Sequence, residues 1–140
     1  MQKDLKSVPK GSGLLEQRIR QYLDKQFGGN FRTRTPYRMM YENQFYIVYF
    51  QNFDLRGSPN YWYRLAEKPL RILIGSSKNA YVCLTNPADQ MGYLIPIKDI
   101  LDHVQRANWS RKDIEVNIDP AESRWRELKW KIKGYEFHFS

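Results

Sequence analysis

Ala80-Tyr-Val-Cys-Leu-Thr85, the turn Asn86-Pro-Ala-Asp-Gln90 and Gly92-Tyr-Leu-Ile-Pro-Ile97 together decide the fold of this chain. Tyr81 to Leu84 and Tyr93 to Ile95 are apolar runs rich in aromatic and β-branched residues, and the polar segment between them has turn composition. The pair therefore reads as a β-hairpin. Apolar character on both alternations places it deep in a sheet, with Val82, Leu84, Leu94 and Ile95 predicted to be buried. Pro96 has no N–H for a ladder, so it ends the second strand or marks an edge.

Working outward, Gln44 to Phe50 is also apolar on both alternations and reads as a central strand. Asn52 to Asn60 is a polar loop, after which Tyr61-Trp-Tyr-Arg-Leu65 is expected to pair back on that strand. Pro69 suits the first turn of a short helix whose face carries Leu70, Leu73 and Ile74, with a strand over Arg71 to Ile74 as the competing reading. Upstream, Leu15, Ile19, Tyr22, Leu23 and Phe27 recur at helical spacing, giving an amphipathic helix from Leu14 to Phe27 that Gly28-Gly29 terminates and Ser12 could cap. Residues 1–13, with Lys3, Lys6 and Lys10, lack periodicity and read as a flexible basic arm. Downstream, Ile97 to Ala107 carries a second amphipathic pattern, Ile114 to Ile118 alternates as a strand, and Trp125 to Ile132 with Tyr135 to Phe139 suggests a closing hairpin turned at Lys133-Gly134. The expectation is an α+β fold: residues 14–140 as one domain, with a single, mainly antiparallel sheet flanked by the N-terminal helix and the second amphipathic helix.

The 140 residues are 41% hydrophobic and 15% aromatic, too apolar for a disordered chain, yet no run is long enough to span a bilayer. Lys3 and Lys6 at the N-terminus have no apolar segment behind them, which argues against a secretory signal. Cys83 is the sole cysteine, so an intrachain disulfide is impossible and a structural zinc site lacks ligands. A cytoplasmic setting and no membrane association follow as expectations. Net charge is +8, and residues 1–40 alone hold nine Lys/Arg against three Asp/Glu, or +6. Such a concentrated field favours polyanions, nucleic acid foremost.

The best contact segment is Asn30-Phe-Arg-Thr-Arg-Thr-Pro-Tyr-Arg38, read as a loop because Pro36 disfavours a helix. Arg32, Arg34 and Arg38, with Arg18 from the preceding helix, offer planar forks of donors to phosphates, and Thr33 and Thr35 add neutral hydrogen bonds. Phe31 and Tyr37 either stack on exposed bases or tuck into the core. Catalytic signatures are sparse. Metal-dependent phosphodiester cleavage needs converging carboxylates, and the nearest match is Asp119 with Glu127-Leu-Lys129, which also fits an ordinary solvated strand face. His103 and His138 lack metal-ligand neighbours, with His103 on the polar side of its helix. No Gly-x-Ser-x-Gly elbow is present, and Gly28-Gly29 lacks the lysine and hydroxyl of a P-loop.

Tyr61-Trp-Tyr, Asn79-Ala-Tyr-Val and Tyr93-Leu-Ile-Pro-Ile followed by Lys98-Asp-Ile-Leu give residues 61–105 an order that resembles bacterial domains associated with restriction and homing endonucleases. The resemblance implies a DNA-associated role. Restriction-like nucleases normally carry an Asp and a Glu-x-Lys or Gln-x-Lys on adjacent strands before this region. Here Gln44 to Phe50 and Tyr61 to Leu65 offer no such pair. The sequence thus points to a small basic nucleic-acid-binding domain, DNA ahead of RNA. The alternatives are a restriction-like metal-dependent nuclease or a protein-interaction module that meets a protein partner or a second copy. No cofactor is expected, Mg²⁺ entering only with the nuclease alternative.

Overall fold

The computed structural model describes residues 14–138, with side chains from residue 17 onward; the arm 1–13 and the cap assigned to Ser12 lie outside the described residues. In chain order these form α1 (Leu14–Phe27), β1 (Arg32–Arg34), β2 (Tyr37–Glu42), β3 (Tyr46–Asn52), β4 (Tyr61–Ala66), α2 (Glu67–Gly75), β5 (Asn79–Asn86), β6 (Met91–Pro96), α3 (Leu101–Gln105), β7 (Asp113–Asp119), β8 (Arg124–Trp125), β9 (Trp130–Lys131) and β10 (Glu136–His138). The fold is α+β and mainly antiparallel. The strands form two sheets where one was expected, a six-stranded sheet ordered β1-β2-β3-β5-β6-β10 and a four-stranded sheet ordered β4-β7-β8-β9.

The expected hairpin is β5–β6, registered from Tyr81↔Pro96 to Asn86↔Met91 and turned by a 3₁₀ segment that the Asn86 side chain caps by accepting from the Asp89 N–H. Pro96 closes β6, as its missing donor requires. Alternate residues of β3, β5 and β6 enter two cores, which explains their unbroken apolar runs. Val48, Phe50, Cys83 and Leu94 face Ile19 and Leu23 of α1. Ile47, Tyr49, Val82, Leu84, Tyr93 and Ile95 face the second sheet, which contributes Tyr61, Tyr63, Leu65, Val116, Ile118 and Trp125. The layers are therefore helix, six-stranded sheet and four-stranded sheet, with Leu70 and Leu73 of α2 filling the second core.

Four expectations are corrected. β4 does not pair back on β3; it pairs with β7, from Tyr61↔Ile118 to Ala66↔Asp113. Its alternation of Tyr61, Tyr63 and Leu65 inward with Trp62 and Arg64 outward suits a sheet covered on one face. β3 is buried on both faces, and it takes the equally apolar β5 as a parallel neighbour across the crossover through β4 and α2.

The segment 30–38 is not a loop: β1 and β2 form an edge hairpin in which Arg32 opposes Glu42, Thr33 opposes Tyr41 and Arg34 opposes Tyr37. The jump between Thr33 and Arg34 leaves Arg38, Met39 and Met40 without a partner on β1, while Met40 still pairs with Tyr49 of β3.

The closing hairpin is also redistributed. β8 pairs with β9 across a 3₁₀ turn at Arg126–Leu128, while a second turn at Lys133–Tyr135 sends β10 to the other sheet beside β6. There Phe137 lies over Gly92, where an added Cβ would sit 2.8 Å from both the Leu84 carbonyl oxygen and the Phe137 ring.

The second amphipathic stretch is shorter than its pattern, a 3₁₀ turn at Ile97–Asp99 and then α3, broken at Ile100. α1 keeps its predicted bounds. Gly28 and Gly29 follow it at φ 92° and 83°, and the Asn43 amide donates to the Phe27 and Gly29 carbonyls that the helix end leaves open.

A candidate nucleic-acid interface

The edge hairpin carries most of the side chains singled out for phosphate contact. Arg32, Thr33, Thr35 and Arg38 are exposed, Arg38 because it stands in the bulge of β2. Arg34 Nη1 lies 3.2 Å from Glu42 Oε1, which also accepts from Lys78 Nζ at 3.0 Å. Burial pushes the Glu42 carboxyl up, but hydrogen bonds and charge from Lys78 and then Arg34 outweigh it and hold the group below its usual range. Arg34 is thus engaged in the protein's own ion pair, although its side chain remains 40% exposed. On the helix side, Arg20 Nη2 donates to Thr33 Oγ1 at 3.5 Å, and its guanidinium lies 4.9 Å from the centre of the Tyr41 ring. Arg20, rather than Arg18, makes the described contact to the hairpin; Arg18 is half-exposed on α1.

Of the two readings open for the aromatics, Phe31 takes the core one and Tyr37 takes it in part. Phe31 is 6% exposed and packs in the core beneath α1, beside Phe27. Tyr37 is half-buried against the other core. Both follow the reading in which these rings complete the interior.

Two cations were missed. Arg20 looked like one more polar position of an amphipathic helix, and Lys78 lies 36 residues from Glu42, joined to it through the parallel β3–β5 pair. A cleft of about 600 Å³ beside the hairpin is lined by Arg32, Glu42, Asn43, Gln44 and Lys78, among others.

The acidic candidates serve the backbone. Asp119 Oδ1 accepts from the Ala121 N–H at 3.0 Å. The two Glu127 oxygens accept from the N–H and the side-chain amide of Asn117 at 2.8 and 2.6 Å. Glu127 and Lys129 do not lie on a strand face: Glu127 is in the 3₁₀ turn and Lys129 ends it at φ 51°. Among the described residues, no three His, Cys, Asp or Glu are grouped to hold a metal ion. His103 is not on a purely polar face either. It meets the buried Trp125 ring edge-on at 6.0 Å, and burial, partly offset by Glu127, lowers its pKa.

Cys83 is fully buried, and burial pushes its thiol well above the usual range, which leaves no thiolate to react. No described helix is long and apolar enough to cross a membrane. Comparison with protein-family models, curated proteins and solved structures gives no match to this chain.

Proposed function

We propose that this chain binds nucleic acid, DNA ahead of RNA, by gripping phosphates along the β1–β2 edge hairpin. The observation that carries the reading is the exposure of Arg32, Arg38, Thr33 and Thr35 on one hairpin of a chain of net charge +8. Guanidinium forks and hydroxyls on a paired backbone are held in place before the polyanion arrives, so less ordering entropy is lost on binding. Arg20 extends the same edge from the helix side. The resemblance to restriction- and homing-endonuclease-associated domains supports DNA as the first polyanion to test. A reducing, cytoplasmic setting belongs to the same reading, since a chain with a single cysteine carries no intrachain disulfide.

Phosphate contacts release counterions, so affinity for the right partner falls steeply between about 50 and 200 mM salt. A mobility-shift panel of duplex DNA, single-stranded DNA and RNA, with and without Mg²⁺, tests the reading. Binding that weakens with salt is the expected result. Arg32→Ala and Arg38→Ala should each lower the log-log salt slope, by roughly 0.9 on duplex DNA. Arg34→Ala should lower it less, because its charge already meets Glu42. Absence of binding across the panel, or binding indifferent to salt, would remove the proposal.

A further inference from the structure

The register of the six-stranded sheet collects cations and one bare ring at a single end. Arg32 opposes Glu42 where β2 ends, Tyr46 pairs with Asn79 where β3 and β5 both begin, and Tyr81 pairs with Pro96 where β6 ends. The flanking residues Phe45, Lys78 and Lys98 therefore come to the same end as Arg32. Two clefts run there. The one of about 600 Å³ is lined in part by Arg32, Gln44 and Lys78. A second of about 190 Å³ is lined in part by Lys78, Asn79, Tyr81 and Lys98. Lys78 lines both.

Phe45 lies at this end of the sheet and is 62% exposed. Its neighbour Gln44 lines the first cleft, and Asn79 of the second donates to its carbonyl from the backbone N–H at 2.9 Å and the side-chain amide at 3.2 Å. The Asn43 side chain in turn accepts from the Phe45 and Tyr46 N–H groups at 3.0 and 2.9 Å. A lone exposed ring is common on proteins. This one sits on a backbone fixed from both sides, at the end of the sheet that also carries Arg32, Lys78 and Lys98. Of the acidic groups nearby, Glu42 is shared by Arg34 and Lys78, and Asp99 accepts from the Tyr135 hydroxyl.

We propose that this end of the sheet is a binding track for single-stranded nucleic acid, in which Arg32 and Lys98 follow the phosphates, Lys78 adds less because it already meets Glu42, and Phe45 stacks on an unpaired base. Duplex DNA keeps its bases paired and cannot present a face to Phe45, whereas every unpaired base has one. The inference rests on the nucleic-acid reading above and adds the form of the ligand.

Fluorescence anisotropy with a labelled single-stranded oligonucleotide and its blunt duplex, on the full chain, tests it. Phe45→Ala should weaken single-strand binding by about 5- to 150-fold, the range of one base–aromatic stack, and leave duplex binding unchanged. Phe45→Trp should retain single-strand binding. Lys98→Gln should reduce the single-strand salt slope by roughly 0.7. Phe45 and Lys98 are both exposed, and circular dichroism confirms that the variants fold. Wild-type binding that survives unaltered in Phe45→Ala and Lys98→Gln would overturn the track while leaving the hairpin proposal intact. Wild-type protein that binds neither oligonucleotide would overturn both.

Discussion

Glu42 is the hinge of the basic edge, because one carboxylate holds Arg34 of the hairpin and Lys78 of the neighbouring crossover at once. Its pKa lies below the usual value of 4.5. The folded protein therefore keeps the charge to lower pH than the unfolded chain does. The stability this contributes is fully present above about pH 4.5 and is lost as pH falls through the folded value. Wild type should consequently lose more stability than Glu42→Gln when urea denaturation is repeated from about pH 5 to pH 3. Parallel curves would show that the two cations do not hold the carboxylate. His103 has the opposite chemistry and the same slope: burial disfavours its charged form, so stability should fall as pH drops below about 6.5. Substituting Gln at His103 should flatten denaturation midpoints between about pH 7 and pH 5.5, and an unchanged profile would place the ring in water.

Among the elements, β5 and β6 are the pair that everything else covers, since each is buried on both faces and each meets a different core on alternate residues. Leu84 is fully buried on the side of the second sheet, and Leu84→Ala should cost about 2–5 kcal/mol in chemical denaturation as a cavity that rigid neighbours cannot fill. A loss below about 1 kcal/mol would mean that the site collapses freely. Gly92 has the reverse problem. A methyl there meets the Leu84 carbonyl and the Phe137 ring, so Gly92→Ala should cost about 1–3 kcal/mol by overpacking. Because β10 is a three-residue strand that pairs with β6 at this point, its amides should lose hydrogen-exchange protection first. Uniform loss across β5 and β10 would contradict that order.

For the molecule as a whole, three layers leave the charged groups on rims and outer faces, and Glu127 is an example with a structural task. It ties the β8–β9 turn to β7 by accepting twice from Asn117. Glu127→Ala should destabilise the protein by about 0.5–1.5 kcal/mol, equally with and without Mg²⁺. The melting temperature of the wild type should not rise with Mg²⁺, since a metal that binds only the folded state must stabilise it. Supercoiled plasmid incubated with the protein and Mg²⁺ or Mn²⁺ should stay intact. Cleavage that requires metal and disappears in both Glu127→Gln and Lys129→Ala would establish the nuclease alternative in place of binding alone.

Local chemistry was enough for α1 and for the β5–β6 hairpin. A 3.6-residue apolar period ending in Gly28-Gly29 has one reading, and two apolar runs separated by Asn86-Pro-Ala-Asp-Gln90 meet through a turn that closes over a few residues. The burial of Val82, Leu84, Leu94 and Ile95 followed from the same runs. The strand character of Arg32-Thr-Arg34 was hidden because an edge strand with exposed arginines has no hydrophobic period to reveal it. Partner choice was hidden more deeply. Whether β4 joined β3 or β7, and whether β10 joined β9 or β6, depended on which strands had two faces to bury and on the room that Gly92 leaves for Phe137. The same long-range packing brought Lys78 to Glu42 and Asn79 to the Phe45 carbonyl. Contacts between residues tens of positions apart are chosen by the competition of whole surfaces for burial, and no window of sequence contains both competitors.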